Sequence, residues 1–154
     1  MSLAPYSAAE FRRRAIEQTL TLGEESWRDH GDSLLNPGVI PHLEDMKLRD
    51  AAVLIPVVDD GEEALGRLPQ YKALSGFSIT PVLAVVRPGF ELVPNPAEVE
   101  TVFDVPLSFL MDPRNHEQGS GIWLGGERHY YRMPYAGHNI WGITAGIVRV
   151  IYER

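Results

Sequence analysis

Two short apolar runs dominate the hydrophobic pattern of this chain and predict two buried strands. Residues 79–86 read ITPVLAVV and residues 51–58 read AAVLIPVV, and both runs are rich in β-branched side chains. We expect residues 51–58 to form a central strand, with the Pro56 end at a sheet edge or a bulge because proline has no amide hydrogen to donate. Residues 65–68 predict a further short strand, and the intervening DDGEE at 59–63 predicts a hairpin-type turn.

Two helices are predicted, one near each end of the chain. Ser7 and Glu10 match a capping box, and an incomplete apolar stripe follows as far as Gly23, so we expect an N-terminal amphipathic helix. Residues 140–152 repeat apolar side chains at helical spacing, which predicts a C-terminal helix packed on a sheet. A solvated helix face explains the three consecutive arginines at 12–14 better than an anionic partner does.

The other segments predict shorter elements. Residues 99–105 are a strand candidate, and Pro106 is placed to open a short helical turn directly after them. Residues 122–124 and 128–133 predict a hairpin around the glycine pair between them. The pattern therefore mixes helices and strands along one chain.

The element order and the composition predict one α/β domain. Residues 1–46 carry many loop and turn formers after the first helix, so we expect them to form an N-terminal helix and connector packed on a domain at residues 47–154. With 154 residues, of which 44% are hydrophobic and 23% charged, the chain has the composition of an ordinary soluble globule.

The charge and the missing residue types exclude several function classes. A formal net charge of -7 argues against a nucleic acid partner, because binding the phosphate backbone needs clustered lysines and arginines. The absence of cysteine excludes disulfides, thiolate catalysis and cysteine-ligated zinc. No apolar run is long enough to cross a bilayer and no signal peptide opens the chain, so we expect a cytoplasmic protein with no membrane partner.

Several short motifs follow one another over roughly the last two-thirds of the chain. They are KLRDAAVLIP at 47–56, GRLPQY at 66–71, SGF at 75–77, Asn95-Pro96 with Glu98-Val99, Val102-Phe103, VPL at 105–107, Tyr135, Gly137-His138, Trp141-Gly142 and Thr144-Ala145. In this order and spacing they resemble the coenzyme A diphosphatase branch of the Nudix hydrolases. The resemblance implies a Nudix-like α/β/α sandwich built on a mixed β-sheet.

The same resemblance implies a metal-dependent hydrolase. In such enzymes Mg²⁺ or Mn²⁺ neutralises the phosphate oxygens and activates a water molecule that attacks the diphosphate. The implied partner is a small-molecule nucleotide, a nucleoside-diphosphate-linked substrate. Coenzyme A or an acyl derivative would be cleaved to 3′,5′-ADP and a 4′-phosphopantetheine.

Six residues receive candidate roles from the resemblance. Glu98 is the candidate catalytic base or metal ligand, with a solvated glutamate at a strand entry as the alternative. The candidate substrate-binding residues are Arg67, Tyr71, Ser75, Phe77 and His138. For these five the alternative is structural: an exposed strand side chain, a packed loop or, for the histidine, a cap of the last helix.

The family's catalytic segment is absent from this sequence. No arrangement of glutamates matches the Nudix box, whose helix carries the metal-binding carboxylates, and Gly61-Glu62-Glu63 is only a fragment of it. The arginine-rich loop that ends in Phe-Pro-Gly-Gly is absent too, and both features would fall between residues 58 and 65. The resemblance implies a pyrophosphohydrolase, but without that segment the chain is expected to be inactive, and the metal ligands stay unassigned apart from Glu98.

Two explanations stay open for this gap. Either a loop and helix between residues 59 and 65 belong to the parent protein but are missing here, or the deletion is real and the chain is a catalytically inactive relative. We favour the first, because removing a covering helix would leave the two apolar strands facing water on one side. The second predicts a non-catalytic Nudix-like module for nucleotide binding or self-assembly, such as a homodimer.

Overall fold

A computed structural model describes residues 5–20, 23, 26–61, 63–123 and 125–154 of the chain. The helices are α1 (Ala8–Leu20), α2 (Ile40–Asp45), α3 (Leu107–Leu110) and α4 (Gly142–Glu153), and short 3₁₀ helices lie at Ser26–Asp29, Gly31–Ser33, Pro37–Val39 and Pro113–Asn115. The strands are β1 (Arg49–Val58), β2 (Glu63–Arg67), β3 (Tyr71–Ala73), β4 (Phe77–Val86), β5 (Glu117–Trp123), β6 (Gly126–Tyr135) and β7 (His138–Trp141). The predicted α/β class is therefore confirmed.

The two apolar runs pair with each other in the first sheet. β1 runs parallel to β4 from Arg49 opposite Phe77 to Val58 opposite Val86. β4 also pairs antiparallel with β2 and β3, so the sheet is mixed, as predicted. The prediction that residues 51–58 form a central strand is wrong, because β4 takes the central position and β1 lies at the edge. Pro56, which lacks an amide hydrogen, suits an edge strand.

The predicted hairpin at residues 59–63 is also wrong. β1 and β2 both pair with β4, on opposite sides of it, so the connection crosses the end of β4 instead of folding back on β1. β2 then shifts register between Ala64 and Gly66. Gly66 has a φ of +151°, and a Cβ there would overlap the Thr19 hydroxyl, so the close approach of α1 to β2 requires glycine at this position.

Helices α1 and α4 cover one face of the first sheet and form the main core with it. The buried residues of this core are Phe11, Ala15, Leu68, Tyr71, Ala73, Leu83, Val85, Ile147 and Val150. The Ser7 hydroxyl accepts a hydrogen bond from the Glu10 amide at 3.2 Å, which confirms the predicted cap of α1. The predicted C-terminal helix is confirmed as α4.

The second sheet is antiparallel in the order β5-β6-β7. Its first two strands form the predicted hairpin, with Trp123 opposite Gly126; Leu124 lies outside the described residues. Tyr131 and Met133 of β6 pack with Ala145 of α4, which joins this sheet to the C-terminal helix.

The segment from 87 to 106, which we call the arm, forms no strand ladder, so the strand prediction for residues 99–105 is wrong. Apolar side chains that are exposed along the arm include Phe90, Leu92, Val93, Val99, Val102 and Phe103. Both sides of β4 are taken by β1 and by β2 with β3, and residues 99–105 do not pair with the free outer edge of β1 either. The predicted helical turn after Pro106 is confirmed as α3.

The connector between α1 and β1 packs through a small cluster of its own. Trp27, Val39 and Leu43 are buried together, and Leu74 of the β3–β4 turn packs against them. Among the described residues, no helix is both long and apolar enough to cross a membrane.

Candidate functional site

The parallel strands β1 and β4 define two ends of the first sheet. Their carboxyl ends meet at Val58 and Val86, and their amino ends meet at Arg49 and Phe77. Because a parallel strand rises about 3.3 Å per residue, these ends lie roughly 30 Å apart. Ligands of open α/β sheets bind beyond the carboxyl ends of the strands. Residues 59–63, which we call the junction, lie at that end.

Arg12 of α1 binds two residues of the junction. Its guanidinium pairs with the Glu63 carboxylate and also donates to the Asp60 carbonyl oxygen at 3.1 Å. The Asp59 carboxylate accepts a hydrogen bond from the Asp60 amide at 2.7 Å. One ion pair therefore links α1 to the junction, where the Nudix resemblance implies a further segment. Glu62 lies outside the described residues.

The acidic side chains do not make a metal centre. Within the described ranges, no group of three or more histidine, aspartate or glutamate side chains is close enough to hold a metal ion. A Mg²⁺ or Mn²⁺ site normally needs several carboxylate oxygens around one point. The residues that the structure describes therefore do not fit the metal that the resemblance implies.

An apolar sheet face is exposed beside the junction. Side chains alternate along β1, so that Ile55 and Val57 pack against the core while Leu54 is 56% exposed and Val58 51% exposed. Ala52 and Pro56 are exposed on the same side, and the register places Val82, Ala84 and Val86 of β4 next to this row. Ala84 is buried there and Val82 and Val86 are half-buried, so we call the four exposed residues of β1 the open face: Ala52, Leu54, Pro56 and Val58.

Glu98 belongs to the arm, and His138 contacts the arm. Glu98 is exposed in a turn closed by its own amide, which donates to the Asn95 carbonyl oxygen at 3.0 Å. The ring of Phe103 stacks on the His138 ring with centroids 3.9 Å apart and an angle of 5° between the planes. This stack brings the arm to the start of β7.

Tyr71, Ser75 and Phe77 lie together at the β3–β4 hairpin. Tyr71 is 7% exposed, Ser75 lies in the turn, and Phe77 is 38% exposed at the first position of β4. This hairpin is at the amino end of β4, opposite the junction. The structure therefore groups three candidate residues, but at the end of the sheet remote from the expected catalytic segment.

Arg67 lies at the end of β2, opposite Val82. Its amide donates to the Thr19 hydroxyl at 3.3 Å, and its carbonyl oxygen accepts a hydrogen bond from the Gln18 side chain. These backbone bonds hold β2 to α1 and leave the Arg67 side chain exposed.

A half-buried carboxylate that sequence reasoning missed lies beside Tyr71. The Tyr71 hydroxyl interacts with the Asp32 carboxylate. Burial raises the pKa of Asp32, and the interaction with Tyr71 opposes that rise. Burial and the neighbouring Asp32 charge raise the pKa of Tyr71 well above its usual value.

The Asp32–Tyr71 pair depends on a close approach of the connector to α4. Gly31 has a φ of +62°, and a Cβ there would lie 3.1 Å from the Val150 side chain and 3.2 Å from the Gly146 carbonyl oxygen. Within the connector, Asp32 reads as an ordinary turn residue, so the only sequence signal for the pair is the glycine before it.

Two cavities border these groups. One of about 660 Å³ lies beside α1, with Leu68 and Leu83 in its wall and Arg13 and Arg14 at its rim. The other, about 560 Å³, is open to solvent and lies between the connector, the β3–β4 hairpin and the second sheet, and its lining includes Asp32, Tyr71, Ser75 and two tryptophans. We call this second space the aromatic cavity.

The three consecutive arginines form ion pairs with glutamates of the same chain. Arg13 pairs with Glu10 and Glu17 at 2.7 Å each, Arg14 pairs with Glu10 at 2.6 Å, and Arg12 pairs at the junction. The two arginines beside Glu10 lower the pKa of that carboxyl group to about 2. The arrangement supports the solvated helix face.

The relatives found by comparison with known proteins are named as Nudix hydrolases. The uncharacterised Nudix hydrolase NudL of Photorhabdus laumondii is 28% identical over 140 residues, which cover 88% of this chain and 75% of that protein. NudL of Citrobacter koseri is 27% identical over 151 residues, covering 90% of this chain and 74% of the relative. These relatives support the Nudix superfamily.

A third Nudix relative matches a shorter region. Nudix hydrolase 15, mitochondrial, of Arabidopsis thaliana is 38% identical over 86 residues, which cover 49% of this chain and 30% of that protein. No protein-family model matches the chain. The observed α/β fold with its mixed and antiparallel sheets is consistent with Nudix-like hydrolases.

Proposed function

We propose that this chain is the scaffold of a Nudix pyrophosphohydrolase that acts on coenzyme A or an acyl derivative. The observation that carries the proposal is the coincidence of the open face with the junction, at the carboxyl ends of the parallel strands. An apolar face of this kind is normally covered by another element. The loop and helix expected between residues 59 and 65 would both cover it and carry the metal-binding carboxylates.

The alignments with the relatives support a gap within this chain. The match to the Citrobacter protein is 151 residues long, yet it takes up only 90% of this 154-residue chain, so the relative contributes residues that have no counterpart here. The proposal requires residues of this kind between positions 59 and 65.

The candidate residues keep their roles within this proposal. Glu98 is the proposed catalytic carboxylate, carried on the exposed arm that leaves the carboxyl end of β4. His138, held flat against Phe103, is proposed to bind the substrate near the arm. The proposed substrate-binding residues on the first sheet and its hairpin are Arg67, Tyr71, Ser75 and Phe77. The proposed metal is Mg²⁺ or Mn²⁺.

Hydrolysis of coenzyme A tests the proposal. The protein expressed from its full gene is incubated with coenzyme A and Mg²⁺ or Mn²⁺, and 3′,5′-ADP is measured by anion-exchange chromatography beside the 154-residue chain. We expect products from the former and none from the latter. Coenzyme A left intact by the full-gene protein under both metals would contradict the proposal.

Paired substitutions on the arm test the role of Glu98. We expect Glu98→Gln in the active protein to lower kcat by about 10²-fold or more, the range typical for loss of an acid–base group. Glu100→Gln, which removes an equally exposed carboxylate two residues away, is the matched control and should leave kcat unchanged. Equal activity of the two variants would remove Glu98 from the mechanism.

The open face also favours a second candidate function, self-assembly without turnover. β1 is an edge strand, and the residues from Ala51 to Val58 carry no charge, so no charged side chain along this stretch opposes contact with a second copy. Sedimentation of the 154-residue chain would then show a dimer that Leu54→Lys abolishes. Leu20→Lys, at an exposed position of α1, is the control. A monomer at all concentrations would contradict this alternative.

A further inference from the structure

We propose that the cavity beside α1 binds an aliphatic carboxylate, a ligand with one unbranched hydrocarbon chain and one anionic end. We call this space the helix cavity, because α1 and α4 both line it. It shares no lining residue with the aromatic cavity, and none of the six candidate residues of the proposed hydrolase lines it. A ligand bound here would therefore act apart from the proposed hydrolysis.

The helix cavity lies on the covered face of the first sheet, opposite the open face. Leu83 of β4 lines the cavity and belongs to the main core, as does Ile55, its partner in the register of β1. Leu54, the residue before Ile55, is exposed on the other face of the sheet. A segment that covers the open face would therefore not fill this cavity.

Apolar side chains from separate elements form the wall of the cavity. They belong to α1, β4, α3, α4 and the residues that directly follow β2 and α3, and they are Phe11, Ala15, Leu68, Leu83, Leu107, Met111 and Ile151. Leu68 and Leu83 are also buried members of the main core, so the cavity opens directly onto that core. A hydrocarbon chain gains free energy here roughly in proportion to the apolar area that it removes from water.

Arg154, directly after α4, supplies a cation to the cavity. Its Nη2 donates to His30 Nε2 at 2.5 Å, whereas its Nε is buried without a hydrogen-bond partner among the described residues. The neighbouring Glu153 carboxylate instead accepts hydrogen bonds from the Arg149 side chain and the Gly31 amide. Burial lowers the pKa of Arg154, and the Glu153 charge opposes this only in part. A half-buried guanidinium with unused donors is a suitable partner for a ligand carboxylate.

The other charged groups at the cavity lie on α1. Glu10 lines the cavity and accepts hydrogen bonds from Arg13 and Arg14, and Arg13 also binds Glu17. Arg14 donates to Glu10 through Nε at 2.6 Å, and its side chain is 58% exposed. Among the described residues of the lining, three arginines including Arg154 thus stand against one carboxylate that is already paired. This balance favours an anion over a cation or an uncharged head group.

The volume of the cavity agrees with this ligand class. About 660 Å³ lies within the range of small-molecule sites, which runs from roughly 300 to 1,000 Å³. Apolar atoms along the wall and cations at the rim match a ligand that is apolar along its length and anionic at one end. A sugar phosphate would place polar groups against the main core, which is costly. Decanoate is therefore a suitable probe, and decanol is its uncharged counterpart.

Isothermal titration calorimetry of the 154-residue chain at neutral pH tests the proposal. The probes are octanoate, decanoate and decanol, each kept below its solubility limit and below micelle formation. We expect saturable binding of decanoate, and roughly tenfold weaker binding of octanoate because it buries two methylenes fewer. Decanol, which lacks the charge, should bind at least tenfold more weakly than decanoate. Absence of saturable decanoate binding, or equal binding of octanoate or decanol, would overturn the proposal.

Arginine variants locate the charged end of the ligand. Arg154→Gln should weaken decanoate binding at least tenfold and leave decanol binding unchanged, because only the carboxylate needs the guanidinium. Arg132→Gln is the matched control, since Arg132 lies on β6 and pairs with Glu117 at 2.7 Å. Equal losses of decanoate binding in the two variants, or a parallel loss of decanol binding in Arg154→Gln, would contradict the assignment.

A bulky side chain in the wall locates the apolar end. Met111→Trp should weaken decanoate binding at least tenfold, because the larger ring would occupy the space of the chain. Leu92→Trp, at a 57% exposed position of the arm, is the control and should bind decanoate as the wild type does. If Met111→Trp does not fold, Leu107→Phe in the same wall replaces it. Wild-type affinity in the folded wall variant would contradict the assignment.

These binding experiments stay separate from the test of the proposed hydrolase. They use the 154-residue chain, which is expected to leave coenzyme A intact, and they measure no hydrolysis. A failure to bind decanoate would therefore overturn the carboxylate site alone, and a failure to hydrolyse coenzyme A would leave that site in place.

Discussion

At the scale of single residues, the hydrogen bonds of the buried His116 ring define which ring nitrogen carries the hydrogen. The ring is 9% exposed, its Nδ1 accepts a hydrogen bond from Arg149 Nη1 at 3.1 Å, and its Nε2 lies 2.5 Å from the Leu110 carbonyl oxygen. Because arginine can only donate, Nδ1 carries no hydrogen and Nε2 is the donor to the carbonyl. Burial, with a smaller effect from Arg149, lowers the pKa of His116.

This arrangement predicts a loss of stability on mild acidification. An unfolded histidine takes up its proton near pH 6.5, whereas folded His116 resists it, so the free energy of unfolding falls as the pH drops from 7 towards 5. Urea unfolding at both pH values measures the change. His116→Gln, which keeps a donor and an acceptor, should reduce the pH dependence, and His129→Gln, at an exposed position, should not. Identical pH dependence in the wild type and His116→Gln would contradict the assignment.

The Asp32–Tyr71 pair yields a second prediction at this scale. Tyr71→Phe removes the hydroxyl that interacts with the half-buried Asp32 carboxylate and should cost roughly 1–3 kcal/mol at neutral pH. The loss should shrink near pH 4, because a protonated Asp32 carries no charge that needs a donor. Tyr135→Phe, whose ring packs against Phe109, is the control in the same unfolding experiment. A loss that does not change with pH would argue against a charged Asp32.

At the scale of elements, the two faces of β1 should respond differently to truncation. Ile55 packs against the main core and Leu54 belongs to the open face, although the two are neighbours. Ile55→Ala should cost more than Leu54→Ala, which we expect to change the free energy of unfolding of the 154-residue chain by under about 1 kcal/mol. Denaturant unfolding measures both.

The same pair of variants reports on what covers the open face. In the protein from the full gene, Leu54→Ala should cost about 2–5 kcal/mol, because a covering helix would bury that side chain. A cost that is equally small in both proteins would mean that nothing covers the face.

Local patterns predicted the elements that depend on nearby residues. The cap at Ser7, the apolar spacing of α4 and the glycine pair of the β5–β6 hairpin are all short-range signals, and each element forms as expected. The continuous apolar run of β4 likewise predicted a buried strand. Short-range sterics and hydrogen bonds decide these elements, so one stretch of sequence suffices to find them.

Pairing choices between distant residues escaped prediction. An apolar run does not specify whether its strand lies at the centre of a sheet or at its edge. β4 is central because β2 and β3 both pair with it, which leaves β1 at the edge. For the same reason DDGEE read as a hairpin although it crosses the end of a strand. The contact between Asp32 and Tyr71 joins residues far apart in sequence, so only the fold could show it.

At the scale of the whole molecule, the chain has two faces of different character. Helices α1 and α4 cover one side of the mixed sheet, while the other side exposes Leu54 and Val58 beside the junction. Arg12 anchors the junction to α1, so the sheet and the N-terminal helix are linked at the point where the expected segment would enter. The proposed hydrolase function requires that this segment belongs to the parent protein.

The intact mass of the protein expressed from its full gene tests this claim most directly. We predict a mass above 17.2 kDa. Peptide mapping should place the additional residues between residues 59 and 65. A mass that leaves no room for an insertion, together with a peptide that reads DDGEEALGR without interruption, would contradict it.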